Sequence, residues 1–282
     1  MRSLSLEGGA FRGVYTSGVL DVLMENGVEF DAVAGVSAGA MNGMNFISGQ
    51  IGRSGRVAMY YGRDKRYVGP QAVLRSHSII GFDFIFGEMS DQLDPFDNEA
   101  FYKNPTKYYA IATNCLTGQP MFFDRDRCSD IFSGVRASAS MPLLSSFVNV
   151  DGVPYLDGGI SYAIPYKWTI RNNHEKAVLV LTRQKGYRKQ PVSYHMKEMY
   201  YRRYKDYPAL MRRLFSIPAR YNHMMEEVDR LEEEGRLFIL RPQKPVRVSR
   251  LERSMDKLED LYTEGRLETM HRMAELKAYL NG

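Results

Sequence analysis

The chain has 282 residues, of which 44% are hydrophobic and 25% are charged, and its formal net charge is +5. This composition is ordinary for a globular protein and excludes collagen-like, disordered and low-complexity classes. No apolar run approaches the roughly 20 residues of a transmembrane helix, and the first residues show no basic and apolar leader. The chain has only two cysteines, Cys115 and Cys128, which make no disulfide framework, so we expect a cytoplasmic location.

Short apolar strands alternate with helical patterns in the first part of the chain. Residues 3–7 and 30–35 are predicted strands, and residues 14–25 and 38–47 are predicted helices. This order is typical of a parallel sheet with helices on both faces. Later segments continue the pattern, with strands at 107–113, 121–123, 147–156 and 177–182 and a helix at 131–140. We therefore predict an α/β fold, a three-layer sandwich around a mostly parallel central sheet.

Residues 52–106 are less regular and carry many aromatic side chains. We expect helices and loops there that cover a pocket. The apolar run at 79–86 suits a lid or the lining of an acyl pocket, and it suits an ordinary core equally well.

From about residue 191 the sequence becomes mainly helical, with a strand predicted at 236–241. We expect interruptions of the helical pattern near Pro208 and Pro218. The last helix is predicted at 249–280. Its N-cap would be Ser249, and Glu252 three residues later would complete a capping box.

Residues 35–39 have the sequence GVSAG and match the pattern G-x-S-x-G. In this pattern the serine occupies a strained turn between a strand and a helix, so that its hydroxyl projects from the sheet. Gly35 and Gly39 lack the Cβ atoms that would collide where strand and helix approach. A strand is predicted before Ser37 and a helix after it, which makes Ser37 a candidate nucleophile.

Residues 8–13, GGAFRG, lie between the first strand and the first helix. A dinucleotide fingerprint requires glycine where Ala10 stands, and a P-loop requires Lys and Ser or Thr after Gly13. Neither nucleotide site is therefore predicted. Backbone N–H groups of Gly8, Gly9 and Ala10 at a helix start could instead stabilise an oxyanion. A tight turn without chemistry is the alternative.

A third motif, Asp157-Gly158-Gly159, follows a predicted strand 120 residues after Ser37. The loop at 8–13, the GVSAG motif and this Asp-Gly-Gly motif, in that order, resemble the patatin-like phospholipase family. Residues 136–142, RASASMP, are also similar to the family segment before its aspartate. The resemblance covers roughly residues 3–185, and the remainder is similar to the extension of a bacterial subgroup.

The resemblance implies a catalytic dyad in which Ser37 attacks an ester carbonyl and Asp157 accepts its proton. It implies an oxyanion hole of backbone amides at Gly8, Gly9 and Ala10, with Arg12 bracing that loop or meeting a substrate phosphate. Five glycines would support this geometry: Gly13, Gly35, Gly39, Gly158 and Gly159. Many family members have glycine where Ala10 stands, so the backbone there must tolerate a Cβ atom. No cofactor and no metal are implied.

A conventional triad would need a histidine. The sequence has five histidines: His77, His174, His195, His223 and His271. His174 has the best chain order for a triad, but it lies in a polar segment and is expected to be an exposed loop residue. We therefore predict that the dyad works without histidine.

Residues 183–220 are rich in Lys and Arg with interleaved tyrosines. The stretch could contact an anionic membrane surface, bind nucleic acid or form a solvated helix face. We expect peripheral membrane contact and no nucleic acid, because the catalytic motifs already indicate a lipid substrate. The sequence leaves the oligomeric state open.

The leading functional hypothesis is therefore a serine hydrolase that cleaves carboxylic ester bonds of lipids, with phospholipids as the expected class. One alternative is an esterase or acyltransferase acting on other acyl esters. Another is a lipid-binding protein without activity. We predict a catalytic domain at 1–185 and a mainly helical extension at 191–282.

Overall fold

The computed structural model describes residues 1–76, 78–172 and 174–282, and in these residues it contains an eight-stranded mixed sheet between helical layers. The strands are β1 (Arg2–Leu6), β2 (Ala32–Val36), β3 (Lys107–Asn114), β4 (Pro120–Asp124), β5 (Val148–Val150), β6 (Val153–Asp157), β7 (Lys176–Val180) and β8 (Phe238–Leu240). Their order is β5-β6-β3-β2-β1-β7-β8, and β4 also pairs with β3. The run from β3 to β8 is parallel, and β4, β5 and β6 pair antiparallel.

Helices flank this sheet on both faces. They are α1 (Val14–Glu25), α2 (Ala38–Ile47), α3 (Arg53–Met59), α4 (Pro70–Ser76), α5 (Phe82–Phe84), α6 (Asn98–Lys103), α7 (Ile131–Ala139), α8 (Tyr166–Arg171), α9 (Tyr194–Tyr204), α10 (Pro208–Glu233), α11 (Met255–His271) and α12 (Met273–Asn281). An irregular helical segment, Ile85–Leu93, and three short 3-10 turns, Ala10–Gly13, Tyr61–Arg63 and Gly158–Ile160, complete the elements. The first two helices have the predicted bounds. No helix within the described residues is both long and apolar enough to cross a bilayer.

Strand β7 shows how the two faces of the sheet are covered. Val178 and Val180 point to the cluster that contains α1, α2, α7 and α11, whereas Ala177 and Leu179 point to the cluster built on α8 and α10. This alternation follows from the two-residue period of a strand. Because both faces are buried, every residue of the strand after Lys176 is apolar. The predicted three-layer α/β architecture is thereby confirmed.

Part of the predicted extension belongs to this same sheet. Strand β8 pairs in parallel with β7, with Val178 opposite Phe238. Helix α11 packs closely on α1, where the hydroxyl of Tyr262 donates to Asp21 at 2.6 Å and Arg266 forms an ion pair with Glu25 at 2.9 Å. The division into domains at 1–185 and 191–282 stays a prediction.

Two local predictions in the C-terminal part are wrong. The last helical region begins at Met255, with Ser254 as the N-cap, and not at Ser249. The Glu252 carboxylate accepts hydrogen bonds from the backbone N–H groups of Ser249, Arg253 and Ser254, which lowers its pKa to about 2. It therefore holds a loop ahead of the helix rather than capping a helix at residue 249.

Pro218 lies inside the continuous helix α10 and does not interrupt it. A proline removes a backbone donor and disturbs the preceding turn. Here the side chains of Ser216 and Arg220 both donate to the carbonyl of Arg213 in that turn, at 3.2 and 2.9 Å. The carbonyl that loses its helical donor to Pro218 is that of Leu214, four residues earlier, and the two side chains bind the backbone immediately before it.

The contact between α1 and α11 generates a stability prediction. A Cβ atom on Gly265 would lie 2.3 Å from the carbonyl oxygen of Tyr15, and one on Gly18 would lie 2.2 Å from that of Tyr262. Alanine has a higher helix propensity by about 1 kcal/mol, but overpacking typically costs about 1–3 kcal/mol. We expect Gly265→Ala to lower the melting temperature. Leu267→Ala, at an exposed position of the same helix, is the control and should change it little; an unchanged Gly265→Ala protein would contradict the close packing.

Candidate active site

Ser37 occupies the sharp turn between β2 and α2. Its backbone has φ +56° and ψ −123°, a left-handed conformation that is rare for a residue with a side chain. The two predicted glycines permit this turn. A Cβ atom on Gly35 would lie 2.6 Å from the backbone nitrogen of Ala40, and one on Gly39 would lie 2.5 Å from the carbonyl oxygen of Leu6. Strand and helix therefore approach at backbone contact distance, and the Ser37 side chain is placed at the helix N-terminus.

The Ser37 hydroxyl donates a hydrogen bond of 2.7 Å to Oδ2 of Asp157. Sheet register brings the two residues together, because β2 pairs with β3 and β3 pairs with β6. Val36 is opposite Ile111, and Ala112 is opposite Asp157. Both side chains are buried, with 6% of Ser37 and 7% of Asp157 exposed.

Asp157 is held by its own turn. The backbone N–H of Gly159 donates to Oδ1 of Asp157 at 2.7 Å. Gly158 lies against β3, where a Cβ atom would be 2.0 Å from the carbonyl oxygen of Ile111. The two predicted supporting glycines thus have different roles. Gly159 donates a backbone hydrogen bond to the carboxylate, and Gly158 permits the close approach of the turn to β3.

Further contacts fix the backbone on each side of the aspartate. The N–H of Asp157 donates to the carbonyl of Ser140 at 2.8 Å, and the Thr113 hydroxyl donates to the carbonyl of Asp157 at 2.8 Å. The Arg220 guanidinium donates to the carbonyls of Ser161, at 2.8 Å, and Ile160. Sequence reasoning missed Thr113 and Arg220. Arg220 belonged to the basic stretch assigned to membrane contact, but burial lowers its pKa to about 10 and it serves the aspartate turn.

Ser138 is a second residue that the sequence analysis did not single out. Its hydroxyl accepts a bond of 2.8 Å from the backbone N–H of Ser37 and donates one of 2.6 Å to the carbonyl of Ile111. The side chain is fully buried. It ties the elbow to β3. The only signal for it was its place in the segment 136–142, which carried part of the family resemblance.

Burial raises the pKa of the Asp157 carboxyl group, and the hydrogen bonds from Ser37 and Gly159 only partly oppose this effect. A free aspartate has a pKa of about 4 and is a weak base at neutral pH. A carboxylate with a raised pKa has a higher proton affinity, which suits it to accept the serine proton. More distant positive charges on Arg250 and Lys189 favour its ionised form.

The loop between β1 and α1 lies against the elbow. A Cβ atom on Gly8 would lie 2.9 Å from Cβ of Ser37, one on Gly9 would lie 2.8 Å from Oγ1 of Thr182, and one on Gly13 would lie 2.7 Å from Cβ of Ala38. Glycine is therefore required at each of these positions by close packing.

Ala10 adopts φ +50° at the start of a 3-10 turn, so its backbone carries strain that glycine would not. Within the described residues, the N–H groups of Gly9 and Ala10 donate to no backbone acceptor. The next amide, that of Phe11, reaches the carbonyl of Arg250 at 3.5 Å. Free amides beside the Ser37 hydroxyl are what an oxyanion hole requires.

Two cavities meet at Ser37. One is a narrow apolar cavity of about 80 Å³, whose wall includes Val14, Met41 and Val57. Two residues of the apolar run at 79–86, Ile80 and Phe82, line it, and Phe82 also belongs to the hydrophobic core. The other cavity is polar and wider, about 460 Å³, and contains Asp157, Arg12, Arg183, Lys189 and Tyr221 in its wall. Ala10, Ser37, Met141 and Arg250 line both cavities.

The histidines that the structure describes lie away from this site. His174 stacks edge-on against Trp168 and interacts with the N-terminal amino group, Asp31 and Lys107, at the sheet edge opposite Ser37. His195, His223 and His271 lie on α9, α10 and α11, and none of the four lines either cavity. His77 lies outside the described residues. Among the described residues no group of three or more His, Cys, Asp or Glu could hold a metal ion.

Family profiles match two parts of the sequence. The profile described as patatin-like phospholipase matches residues 4–168, more than half of the chain. The chain belongs to the patatin-like phospholipase family. The resemblance drawn from the three motifs is thus confirmed, and membership implies a lipid acyl hydrolase as a broad class. A second profile, described as a domain of unknown function, DUF6363, matches residues 207–281.

Two bacterial relatives of this patatin-like protein have names that describe them as uncharacterized. It is 28% identical over 277 residues to the uncharacterized protein YjjU of Escherichia coli K12. The aligned region covers 94% of this chain and 75% of that protein. It is 28% identical over 165 residues to an uncharacterized NTE family protein of Mycobacterium tuberculosis, covering 58% of this chain and 44% of that protein. The solved structure of VipD from Legionella pneumophila has a TM-score of 0.49 at 13% identity, covering 99% of this chain and 67% of that chain.

The left-handed backbone of Ser37 generates a prediction about stability. Alanine and glycine at position 37 both remove the hydroxyl, but only alanine keeps the backbone strain of about 1–3 kcal/mol. The greater flexibility of an unfolded glycine offsets about 0.5–1 kcal/mol of the difference. We expect Ser37→Gly to melt at a higher temperature than Ser37→Ala. At Ser48, whose φ is −77°, the same pair of substitutions should show the opposite order. If Ser37→Ala melts at or above Ser37→Gly, the turn is not strained.

Proposed function

We propose that this protein hydrolyses carboxylic ester bonds of lipids, with phospholipids as the expected class, through Ser37 as nucleophile and Asp157 as base. The observation that carries the proposal is the 2.7 Å hydrogen bond from the Ser37 hydroxyl to the buried Asp157 carboxylate, at the point where an apolar and a polar cavity meet. An ester of a long-chain acid has one apolar and one polar part, which these two cavities fit.

In the acylation step the Ser37 oxygen attacks the ester carbonyl carbon while its proton passes to Asp157. The developing oxyanion accepts hydrogen bonds from the backbone amides of the loop at Gly9 and Ala10. The tetrahedral intermediate then collapses. The bond to the alcohol oxygen breaks, the alcohol leaves with the proton held by Asp157, and the acyl group stays on Ser37.

In the deacylation step Asp157 accepts a proton from water, whose oxygen attacks the acyl-enzyme carbonyl. Collapse of the second intermediate returns the proton to the Ser37 oxygen and releases the fatty acid. The same carboxylate serves both halves of the reaction, and no histidine is needed in this scheme. An alcohol taking the place of water would give the acyltransferase alternative by the same steps.

The role of Asp157 is tested by Asp157→Asn. Asparagine keeps the shape and can still accept from Gly159, but it is not a base. We expect kcat/KM with a p-nitrophenyl ester to fall by about 10²–10⁴-fold, the usual contribution of general base catalysis. Because Asp157 has a raised pKa in the folded protein, its charge destabilises that state at pH values above the raised pKa. The variant should therefore melt no lower than the wild type.

Asp260→Asn on the exposed face of α11 is the matched control, and His174→Ala should also keep its activity. A fluorophosphonate probe should label the wild type and fail to label Ser37→Ala. Loss of activity in a folded His174→Ala protein would contradict the dyad. Labelling that persists without Ser37 would contradict the choice of nucleophile.

We also propose that the protein contacts anionic membrane surfaces through α9. Met196 and Tyr200 of this helix line the polar cavity. On its outer side Tyr194 is 84% exposed and Tyr201 is 58% exposed, and Lys197 lies between them at helical spacing. Exposed tyrosines with basic residues at the rim of a lipid site suit an interfacial surface.

Membrane contact through this helix is tested with vesicles containing phosphatidylglycerol. Each basic residue near such a surface contributes about 1 kcal/mol, and salt screens this attraction. We expect sedimentation with the vesicles to weaken as salt is raised and to weaken further in Tyr194→Ala/Tyr201→Ala. Tyr102→Ala on α6, another exposed tyrosine, is the control. Binding that does not depend on salt or on these tyrosines would rule this surface out.

A further inference from the structure

Four positively charged side chains line the polar cavity beside Ser37, and they come from three separate segments. One follows β1, two lie in the loop between β7 and α9, and one lies in the loop before α11. They are Arg12, Arg183, Lys189 and Arg250. A convergence of basic groups from distant parts of the chain is not explained by the local composition of any one segment.

The carboxylates in this wall are already occupied. Glu7 accepts from the backbone N–H and the hydroxyl of Thr182 at 2.7 and 3.1 Å, and from the Tyr221 hydroxyl at 2.8 Å. Asp157 accepts from Ser37 and Gly159. In the described part of the chain none of the four cavity cations forms a salt bridge, although their neighbours Lys185 and Arg188 pair with acidic residues of α10.

Arg12 shows the lack of an anion most directly. It is 9% exposed, and its Nε donates to no acceptor among the residues that the structure describes. Burial, followed by the nearby charges of Arg183 and Arg250, lowers its pKa to about 10. A buried cationic donor without an acceptor is unfavourable. A bound anion would supply both the missing acceptor and the missing charge.

Lys189 is in a similar position. Its ammonium group lies 3.8 Å from the centre of the Tyr221 ring, and its backbone is anchored to Asn222 by two hydrogen bonds, of 2.8 and 3.1 Å. Burial lowers the pKa of the lysine to about 7. Glu7 and Asp157 oppose this shift, and Arg250 and Arg12 add to it. Near neutral pH an anion beside Lys189 would therefore favour protonation of the lysine and bind more tightly as a result.

Arg250 connects this cluster to the reacting serine, since it lines both cavities that meet at Ser37. Its loop is well held. The Arg250 carbonyl is approached by the amide of Phe11 at 3.5 Å, and Glu252 binds three amides of the same loop. The Arg183 guanidinium also donates to the carbonyl of Val246 at 3.1 Å. The part of the chain after residue 240 is thus built into the cavity wall.

We propose that Arg12, Arg183, Lys189 and Arg250 form a phosphate site, and that the ester substrate carries a terminal phosphate monoester on its alcohol portion. This inference rests on the proposed function. With the acyl chain in the apolar cavity, the alcohol portion lies in the polar one, within reach of the four cations. Arginine binds two phosphate oxygens at once through its planar fork, and lysine adds a compact charge.

The excess of cations favours a phosphate monoester over a zwitterionic headgroup. A monoester carries close to two negative charges at neutral pH, and the cavity offers four cations. A headgroup that also carries a cation would add a further positive charge beside these four, and the two carboxylates of the wall are already engaged. The expected substrate class is therefore an acylated glycerol phosphate with no further headgroup.

The test compares two esters with the same decanoyl chain, decanoylglycerol phosphate and monodecanoylglycerol. Both are used below their critical micelle concentrations, so that membrane binding does not contribute. Hydrogen bonds to charged groups are worth about 1.5–3 kcal/mol. We expect kcat/KM to be about tenfold or more higher for the phosphorylated ester, chiefly through a lower KM. Equal values for the two esters would overturn the proposal.

Single substitutions test which cations cause the preference for the phosphorylated ester. Lys189→Gln and Arg250→Gln should each reduce the ratio of the two kcat/KM values by about tenfold. Arg250→Lys, which keeps the charge, should restore part of the ratio and guards against loss of folding as the explanation. Arg247→Gln removes an exposed arginine of the same loop that lines neither cavity, and it should keep the full ratio. A ratio unaffected by Lys189→Gln and Arg250→Gln would also overturn the proposal.

Binding to the Ser37→Ala protein separates this inference from the proposed function. By calorimetry, glycerol 3-phosphate should bind, inorganic phosphate should bind more weakly, and glycerol should not bind. Affinity for glycerol 3-phosphate should fall between pH 6.5 and 8.5 as Lys189 loses its proton, and Lys189→Arg should remove that dependence. Binding without any ester hydrolysis would contradict the proposed function alone. Hydrolysis without binding of glycerol 3-phosphate would contradict the inference alone. If inorganic phosphate binds more tightly than glycerol 3-phosphate, the site is one for free phosphate, and the proposed headgroup site is wrong.

Discussion

The short hydrogen bond between Ser37 and Asp157 requires three neighbouring strands to stay in one register. Ser37 follows β2, Asp157 ends β6, and β3 lies between them. A slip of one residue in either pairing would turn one of the two side chains to the other face of the sheet. Gly158, Ser138, Thr113 and Arg220 all act on this constraint, because each one fixes a backbone segment within contact distance of β3 or of the aspartate turn.

Several features that raise the free energy of the folded state lie close together around Ser37. Ser37 and Ala10 both have positive φ angles, the Asp157 carboxyl group is buried, and Arg12 is a buried cation. Each feature costs free energy in the folded state. The surrounding structure offsets this through the apolar packing of α1, α2, α7 and α11 on one face of the sheet and of α8 and α10 on the other. Strain gathered at one place on an otherwise regular scaffold is characteristic of a site that does chemistry.

The sequence alone predicted the strands of the sheet before residue 191, the helices α1 and α2, and the residues that form the elbow and the Asp-Gly-Gly turn, but not that β8 joins the same sheet. These features can be read from the local sequence. The spacing of apolar residues indicates strands and helices, glycines mark positions of close backbone contact, and the order of the three motifs indicates the site. The N-cap at Ser254 was missed because Glu252 holds residues 249–254 in a loop. The continuity of α10 through Pro218 was missed because residues on both sides of the proline, Leu214 and Tyr221, are buried in the fold, and such packing overrides local propensity. Lys189 and Arg250 could not be assigned to the cavity, since the contacts that place them join segments far apart in the chain. Arg220 carried the same charge signal as its exposed neighbours, and only burial distinguishes it.

The close packing of α11 on α1, and of β8 on β7, has a consequence for how the protein is made. Helix α1 is synthesised before α11, and its glycine contact with α11 forms only after about 240 further residues have been synthesised. The loop that brings Arg250 to the cavity lies in the same late segment. Between the synthesis of Asp157 and that of Arg250, therefore, the nascent chain carries the serine and the aspartate without the complete cavity wall around them. Completion of the wall waits for the segment around Arg250, and under the proposed function this would delay lipid binding until that segment has been synthesised and packed.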